Sequence, residues 1–196
     1  GRSAAMLHST PGSPEASSAA AEIDSPIRIN LGARAWCDLP KGDTQAGPVA
    51  GFTCVFLKEV VHHFEPPRSN LFRDLREKRM QVGGRLVIVT RPQQDYDYPF
   101  FAGARDVWVQ NQPSAEELKS ALSEAGFSEV KHEMIRYPLS LATEEWCKMV
   151  ENRFWSTFSH FTDEELSEGV AEIRRNNGGS ELLEFEERMI LITAKN

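Results

Sequence analysis

Cysteine is scarce in this 196-residue chain: Cys37, Cys54 and Cys147 are widely spaced, odd in number and form no CxxC pair. That excludes a disulfide framework and a zinc knuckle and fits reduced thiols in a cytoplasmic setting. Long apolar runs are missing too. Stretches such as Phe52 to Leu57 and Leu86 to Val89 fall far short of the ~20 residues of a membrane-spanning helix, and no charged start leads into an apolar signal core. No membrane partner is expected. Positive charge is in deficit, 22 Lys and Arg against 29 Asp and Glu, for a net charge of −7 and a pI near 5.3. This argues against the broad basic footprint that nucleic acid requires. A small-molecule or protein partner is expected instead.

What is present suffices for one compact domain, or a domain with a tail: 40% of residues are hydrophobic and 26% charged. Ser9 to Glu22 is rich in Ser, Ala and Pro and lacks the large apolar side chains that offset ordering entropy, so it reads as flexible. Ile27 to Leu31 alternates like a half-buried strand, and Lys41 to Pro48 is turn-rich. Residues 1–48 therefore read as a partly flexible N-terminal segment and 49–196 as an α/β domain.

Within that domain, Phe52 to Leu57 and Arg85 to Thr90 are short, nearly continuous apolar runs, the pattern of parallel strands buried on both faces. Between them Leu71, Phe72 and Leu75 share a helical face. Pro66 and Pro67 suit the first turn of that helix, and Gly83-Gly84 ends the connection. A right-handed crossover then makes the two strands parallel neighbours. Ser114 to Glu117 forms a capping box for a helix that Gly126 stops. Glu129 to Tyr137 and Arg188 to Ala194 read as further strands, both expected at a sheet edge. Two helices are inserted between them, Thr143 to about Phe158 and Thr162 to about Arg175, over roughly 143–178. Glu144 to Lys195 holds twelve acidic and six basic side chains, read as a solvated face.

These elements resemble, in order, the class I S-adenosylmethionine-dependent methyltransferases, especially the small-molecule group similar to the ubiquinone and menaquinone biosynthesis enzymes. Phe52 to Phe64, with the pair His62-His63, resembles that family's fourth strand and following loop. Gly83 to Pro92 resembles the turn into the fifth strand. Ser114 to Phe127, ending Ala125-Gly126-Phe127, resembles the helix before the sixth, and the terminal strand resembles the antiparallel seventh. The implied fold is a Rossmann-like class I methyltransferase sheet, N-terminally incomplete, with a helical insertion before the last antiparallel strand.

The departures are specific. No GxGxG-type turn stands anywhere in the sequence, nor the acidic residue expected after a second strand to hold the cofactor's ribose. Arg2 to Leu7 resembles the helix start that follows that acid, so the chain reads as beginning just beyond it, a fragment of a longer enzyme. The same absences would fit a divergent non-catalytic relative, or a piece completed by another chain. Gly32 to Pro40 resembles the adenine-contacting segment, with its customary Asp displaced to Asp38.

The resemblance implies S-adenosylmethionine as cofactor, with Lys58, Asp38 and Trp36 as its contacts, and a small-molecule acceptor. Lys58, Glu59, His62 and His63 end a buried parallel strand, where open α/β sheets bind ligands. Methyl transfer needs alignment and, for a protonated acceptor, a base; His62 or Glu59 could serve. His63, Arg91, Tyr96 and Tyr98 are the candidate acceptor contacts. The plainer reading packs the histidines locally and the aromatics Phe100, Phe101 and Trp108 against the inserted helices. Trp146, Phe154 and Trp155 could roof an acceptor pocket, although helical spacing assigns Trp146 and Phe154 to ordinary core. Glu59 to His63 finds no second ligand cluster, so no metal is expected. With no GxSxG, Ser/His/Asp hydrolysis finds no support either. The competing function is a non-catalytic methyltransferase-like domain serving dimerisation or protein interaction; a homo-oligomer is compatible with both.

Overall fold

A computed structural model describes residues 33–40, 43 and 47–196. The expected flexible stretch at Ser9 to Glu22, the strand at Ile27 to Leu31, the helix start at Arg2 to Leu7 and most of the turn at Lys41 to Pro48 lie outside the described residues.

The described chain opens with α1 (Ala33–Asp38) and enters β1 (Phe52–Lys58). A 3-10 turn at Val61–His63 leads to α2 (Arg68–Arg79) and β2 (Met80–Thr90). Then follow α3 (Ala102–Asn111), α4 (Ala115–Glu124) and β3 (Ser128–Ala142). After α5 (Thr143–Glu151), a second 3-10 turn (Ser156–His160) and α6 (Asp163–Asn176), the chain closes with β4 (Leu182–Lys195). The strands form one open sheet in the order β1-β2-β4-β3. β1 and β2 are parallel, Val55 opposite Leu86 and Leu57 opposite Ile88, and β2 and β4 are antiparallel, Ile88 opposite Ile192. The α/β class, the crossover and the helical insertion before an antiparallel last strand are thus as expected.

Several boundaries differ. The two prolines precede α2 rather than open it: Pro67 is its N-cap in an extended conformation, and Arg68 is its first residue. β2 begins before the glycine pair instead of after it. Phe52 pairs with Met80 but Cys54 with Arg85, so β2 carries extra residues at an irregularity. Gly83 there has φ 79°, and a Cβ on Gly84 would lie 2.9 Å from the Gln81 carbonyl oxygen; glycine is what the irregularity can hold. β4 is no edge strand. It lies between β2 and β3, leaving β3 at the margin, where Lys131, Glu133 and Pro138 suit an unpaired edge.

The helix expected to reach Phe158 stops at Glu151, because Arg153 takes a left-handed φ of 52° and the chain re-forms as the 3-10 turn. That change of phase overturns the expected core position of Phe154, which is 52% exposed. The 10-residue α3 was unforeseen, hidden in the proline- and aromatic-rich run that follows β2.

The chain divides into two compact units. One holds Arg91–Ser114 and Met134–Met189, hence α3, α5 and α6. Its core is aromatic: Tyr98, Phe100, Phe101, Trp108, Trp146 and Phe158, with Trp155 packed against them. The other holds the described residues through Thr90, Ala115–Glu133 and Ile190–Asn196, hence α1, β1, α2, β2 and α4. Its buried residues include Val55, Leu57, Phe72, Leu75, Leu86, Ile88, Leu118, Leu122 and Ile192, the apolar positions whose spacing marked the strands and helices. β3 and β4 contribute residues to both units. Along β4 the buried positions run Leu183, Phe185, Glu187, Met189 and then Ile190, Ile192, Ala194, shifting phase where the strand passes from one unit to the other.

Candidate functional site

In the unit built on β1 and β2, the parallel strands point their carboxyl ends the same way, and four of the expected site residues gather at the end of β1. Lys58 is its last residue and exposed. Glu59 turns sharply, with φ 51°, while its N–H still donates to the Val89 carbonyl at 2.8 Å. A non-glycine residue in this conformation is a local strain that a neighbouring strand must hold in place. The turn delivers the chain into Val61–His63. Val61 is fully buried and anchors it, and the Arg68 guanidinium Nε donates to the Val61 carbonyl at 3.3 Å. His62, half-buried, and His63, exposed, lie with ring centroids 4.0 Å apart and planes tilted by 50°. The cluster offers a primary ammonium, a carboxylate and two imidazoles: a cation to meet an acid group and two kinds of proton acceptor.

Trp36 and Asp38, both on α1, have partners of another kind. Trp36 is 3% exposed; its ring centroid lies 5.8 Å from that of Phe52, and the Arg79 guanidinium stands over it at 5.5 Å. The same guanidinium, itself buried, donates to the carbonyls of Trp36, Cys37 and Leu39 at 2.6, 3.1 and 2.5 Å. Arg79 thereby serves the orphan carbonyls at the end of a helix too short to be stable alone. Asp38 lies 3.6 Å from the Lys78 ammonium. Lys58 and the imidazoles set polar, ionisable groups at the end of the strand, whereas the enclosed indole of Trp36 serves packing.

Arg91, Tyr96 and Tyr98 belong to the other unit, and there they converge. The Tyr98 hydroxyl donates to Glu187 Oε1 at 2.6 Å, and the Arg91 Nε donates to the same oxygen at 3.0 Å. Arg91 also stands over the Trp155 ring at 4.8 Å, and the two tyrosine rings lie nearly parallel, 6.1 Å apart. Burial pushes the Tyr98 phenol above its ordinary value, and the hydrogen bond to Glu187 adds to the effect. Burial raises Tyr96 as well. Both phenols stay protonated at neutral pH, and that of Tyr98 acts as a donor.

Glu187 escaped the sequence reading. A carboxylate reads as solvent-facing by composition, yet the alternation Leu183, Phe185, Glu187, Met189 sets it on the inward face of β4, and the structure buries it to 5% exposure. Period-two spacing on an apolar strand was the available signal. Among the described residues no three His, Cys, Asp or Glu side chains are grouped to hold a metal ion, and no helix is long and apolar enough to cross a membrane.

Solved methyltransferases are similar to this chain. A candidate methyltransferase from Bacillus halodurans C-125 shares 20% identity over 74% of this chain and 64% of its own, with a TM-score of 0.45. A SAM-dependent methyltransferase from Archaeoglobus fulgidus shares 17% over 84% of this chain and 64% of its own, at 0.41. Phosphoethanolamine N-methyltransferase 2 from Haemonchus contortus, in complex with S-adenosyl-L-methionine, shares 13% over 74% and 33%, at 0.39. The chain spans less than two thirds of the length of each. No family model and no curated protein matches it. The α/β class rests on the strand order and directions of the chain itself.

Proposed function

We propose that this chain is part of an S-adenosylmethionine-dependent methyltransferase acting on a small-molecule acceptor, of the group similar to the ubiquinone and menaquinone biosynthesis enzymes. The observation that carries the reading is the end of β1: a parallel strand whose last residue, Lys58, opens onto Glu59, His62 and His63 at the position where open α/β sheets bind ligands. The strands matched by motif to the fourth, fifth, sixth and seventh of that fold occur in that chain order, the last antiparallel.

The cofactor would supply an electrophilic methyl group. Lys58 would meet its acidic end, and the glycine-rich turn absent from this sequence would come from a preceding segment. His62 or Glu59 would take the proton of the acceptor, and His63 would contact the acceptor itself. A second reading, a non-catalytic interaction domain, is favoured by the internal partners of Trp36, Asp38, Arg91 and Tyr98.

Titration calorimetry with S-adenosylhomocysteine separates the two readings, run on this chain and on a form extended upstream by about 50–70 residues, the length of one strand-helix-strand unit. Binding by the extended form supports the methyltransferase; binding by neither supports the interaction domain. Once turnover is in hand, His62→Ala or Glu59→Gln is expected to lower kcat by about 10²- to 10⁴-fold, the usual worth of a general base. Full turnover in both variants would remove the assigned base.

A further inference from the structure

Residues 93–99 run Gln-Gln-Asp-Tyr-Asp-Tyr-Pro, and their alternation sorts two kinds of contact. The acids face outward and the tyrosines inward: Asp95 and Asp97 are exposed, Tyr96 is half-buried and Tyr98 buried. Inward, Tyr96 lies 6.1 Å from Trp108 and 5.7 Å from Phe100, and Tyr98 lies 5.0 Å from Trp155, measured between ring centroids. Outward, Asp95 is the hub of a charge network. Its two oxygens accept from Arg136 and from Arg188, each at 2.6 Å. The same two arginines also reach Glu186, at 3.2 and 2.7 Å, and Asp97 accepts from the Glu186 N–H at 3.0 Å.

The segment is fixed at both ends by buried indoles. Trp108 Nε1 donates to the Pro92 carbonyl and Trp146 Nε1 to the Pro99 carbonyl, each at 3.0 Å. Between those anchors, the chain is held to β3 and β4 from outside by the Asp95 ion pairs and by the one hydrogen bond from the Glu186 N–H to Asp97, and ion pairs near the surface are weak and screened by salt. Asp95 also carries a φ of 58°, a conformation that costs free energy unless something outside the backbone compensates for it.

We propose that residues 93–99 form a strap held closed over the aromatic cluster by a salt-sensitive latch centred on Asp95, with Arg136 and Arg188 as its two catches. Release of the latch lifts Tyr96 from the cluster while the indole anchors keep both ends in place. The strap carries two of the side chains expected from the sequence to contact an acceptor, but the latch itself does not depend on that expectation.

Limited chymotrypsin digestion, read by mass, tests it. Cleavage after Tyr96 requires the strap to open; cleavage after the half-exposed Phe154 of the same unit is the internal reference, and Tyr98 is protected by the proline that follows. Asp95→Asn removes the charge while keeping a residue that tolerates positive φ. It is expected to raise the ratio of Tyr96 to Phe154 cleavage about five-fold, the order set by loss of a small surface network. Raising sodium chloride to about 0.5 M does the same to the unaltered chain, where screening falls to a few ångströms, and has no further effect on Asp95→Asn. A ratio that moves with neither charge removal nor salt overturns the latch. So does an Asp95→Asn chain that remains as salt-sensitive as the parent. The salt arm needs no variant, so a folding defect cannot decide the result.

Discussion

Glu187 is the residue on which most local chemistry converges, and the size of each contact can be ordered. Its carboxylate is buried and receives both the Tyr98 hydroxyl and the Arg91 guanidinium. Such a pair is not strong evidence for stability as a whole, because desolvation offsets most of the attraction, but removing one partner strands the other charge. Glu187→Gln keeps an acceptor for Tyr98 and leaves Arg91 uncompensated, an expected loss of about 3 kcal/mol. Tyr98→Phe removes only one hydrogen bond from a carboxylate that keeps Arg91, an expected loss of about 1–2 kcal/mol. Urea unfolding of the two variants checks the order. If Tyr98→Phe were the costlier, the network would be organised by the phenol and not by the charge pair.

At the scale of elements, periodicity decided what could be foreseen. β1, β2, α2 and α4 advertise themselves by continuous apolar runs or by Leu at three- and four-residue spacing, and the Thr162–Glu165 capping box opens α6 as its residue types imply. The position of the end of β1, with Lys58, Glu59, His62 and His63 gathered there, was legible for the same reason, since a buried parallel strand places its carboxyl end predictably. The buried partnership of Arg91, Tyr98 and Glu187 was not, because residues 91 and 187 are 96 positions apart and only the folded chain joins them. Trp155 took the interior place expected of Phe154 because one left-handed residue, Arg153, reset the phase of the helix.

Packing likewise overrides propensity at Gly169 in α6. Alanine there gains about 1 kcal/mol of helix propensity, but its Cβ would stand 2.5–2.8 Å from three ring atoms of Phe101, and overpacking of this kind costs about 1–3 kcal/mol. Phe101 has little room to yield, with the Phe161 ring centroid 5.0 Å from its own. Gly169→Ala is therefore expected to lower stability by up to about 2 kcal/mol net. Phe101→Leu should relieve that loss in the double variant by thermal or urea unfolding. A Gly169→Ala chain more stable than the parent would show that the ring moves freely.

For the molecule as a whole, the net charge of −7 favours solubility near neutral pH, and the perturbed groups determine how stability changes away from it. On the acid side, Arg or Lys partners hold the Glu129, Glu144 and Glu186 carboxyls below the usual range. Their contribution is present above the ordinary carboxylate value and lost as pH falls; Glu129 and Glu144 are exposed and Glu186 is partly so, and the effect is correspondingly screened.

On the alkaline side the groups are thiols, Cys37 and Cys147 buried and Cys54 half-buried. Burial pushes the Cys37 thiol from 9.0 up to about 12, opposed in part by the nearby Arg79, and raises Cys54 and Cys147 as well. A folded-state value above the unfolded one means that the folded chain binds more protons between the two. The contribution is thus complete below pH 9 and is lost as pH rises toward 12. For Cys37 the slope is at most about 1.4 kcal/mol per pH unit. Cys37→Ala removes that titration and leaves a pH-independent packing offset. Under reducing conditions the stability difference between the parent and Cys37→Ala should be constant from about pH 7 to 9 and should fall steadily from about 9 to 10.5. Urea unfolding at each pH measures it. Parallel curves above pH 9 would mean that water reaches the Cys37 sulfur in the folded chain, and that α1 is not held closed over it by the Arg79 contacts.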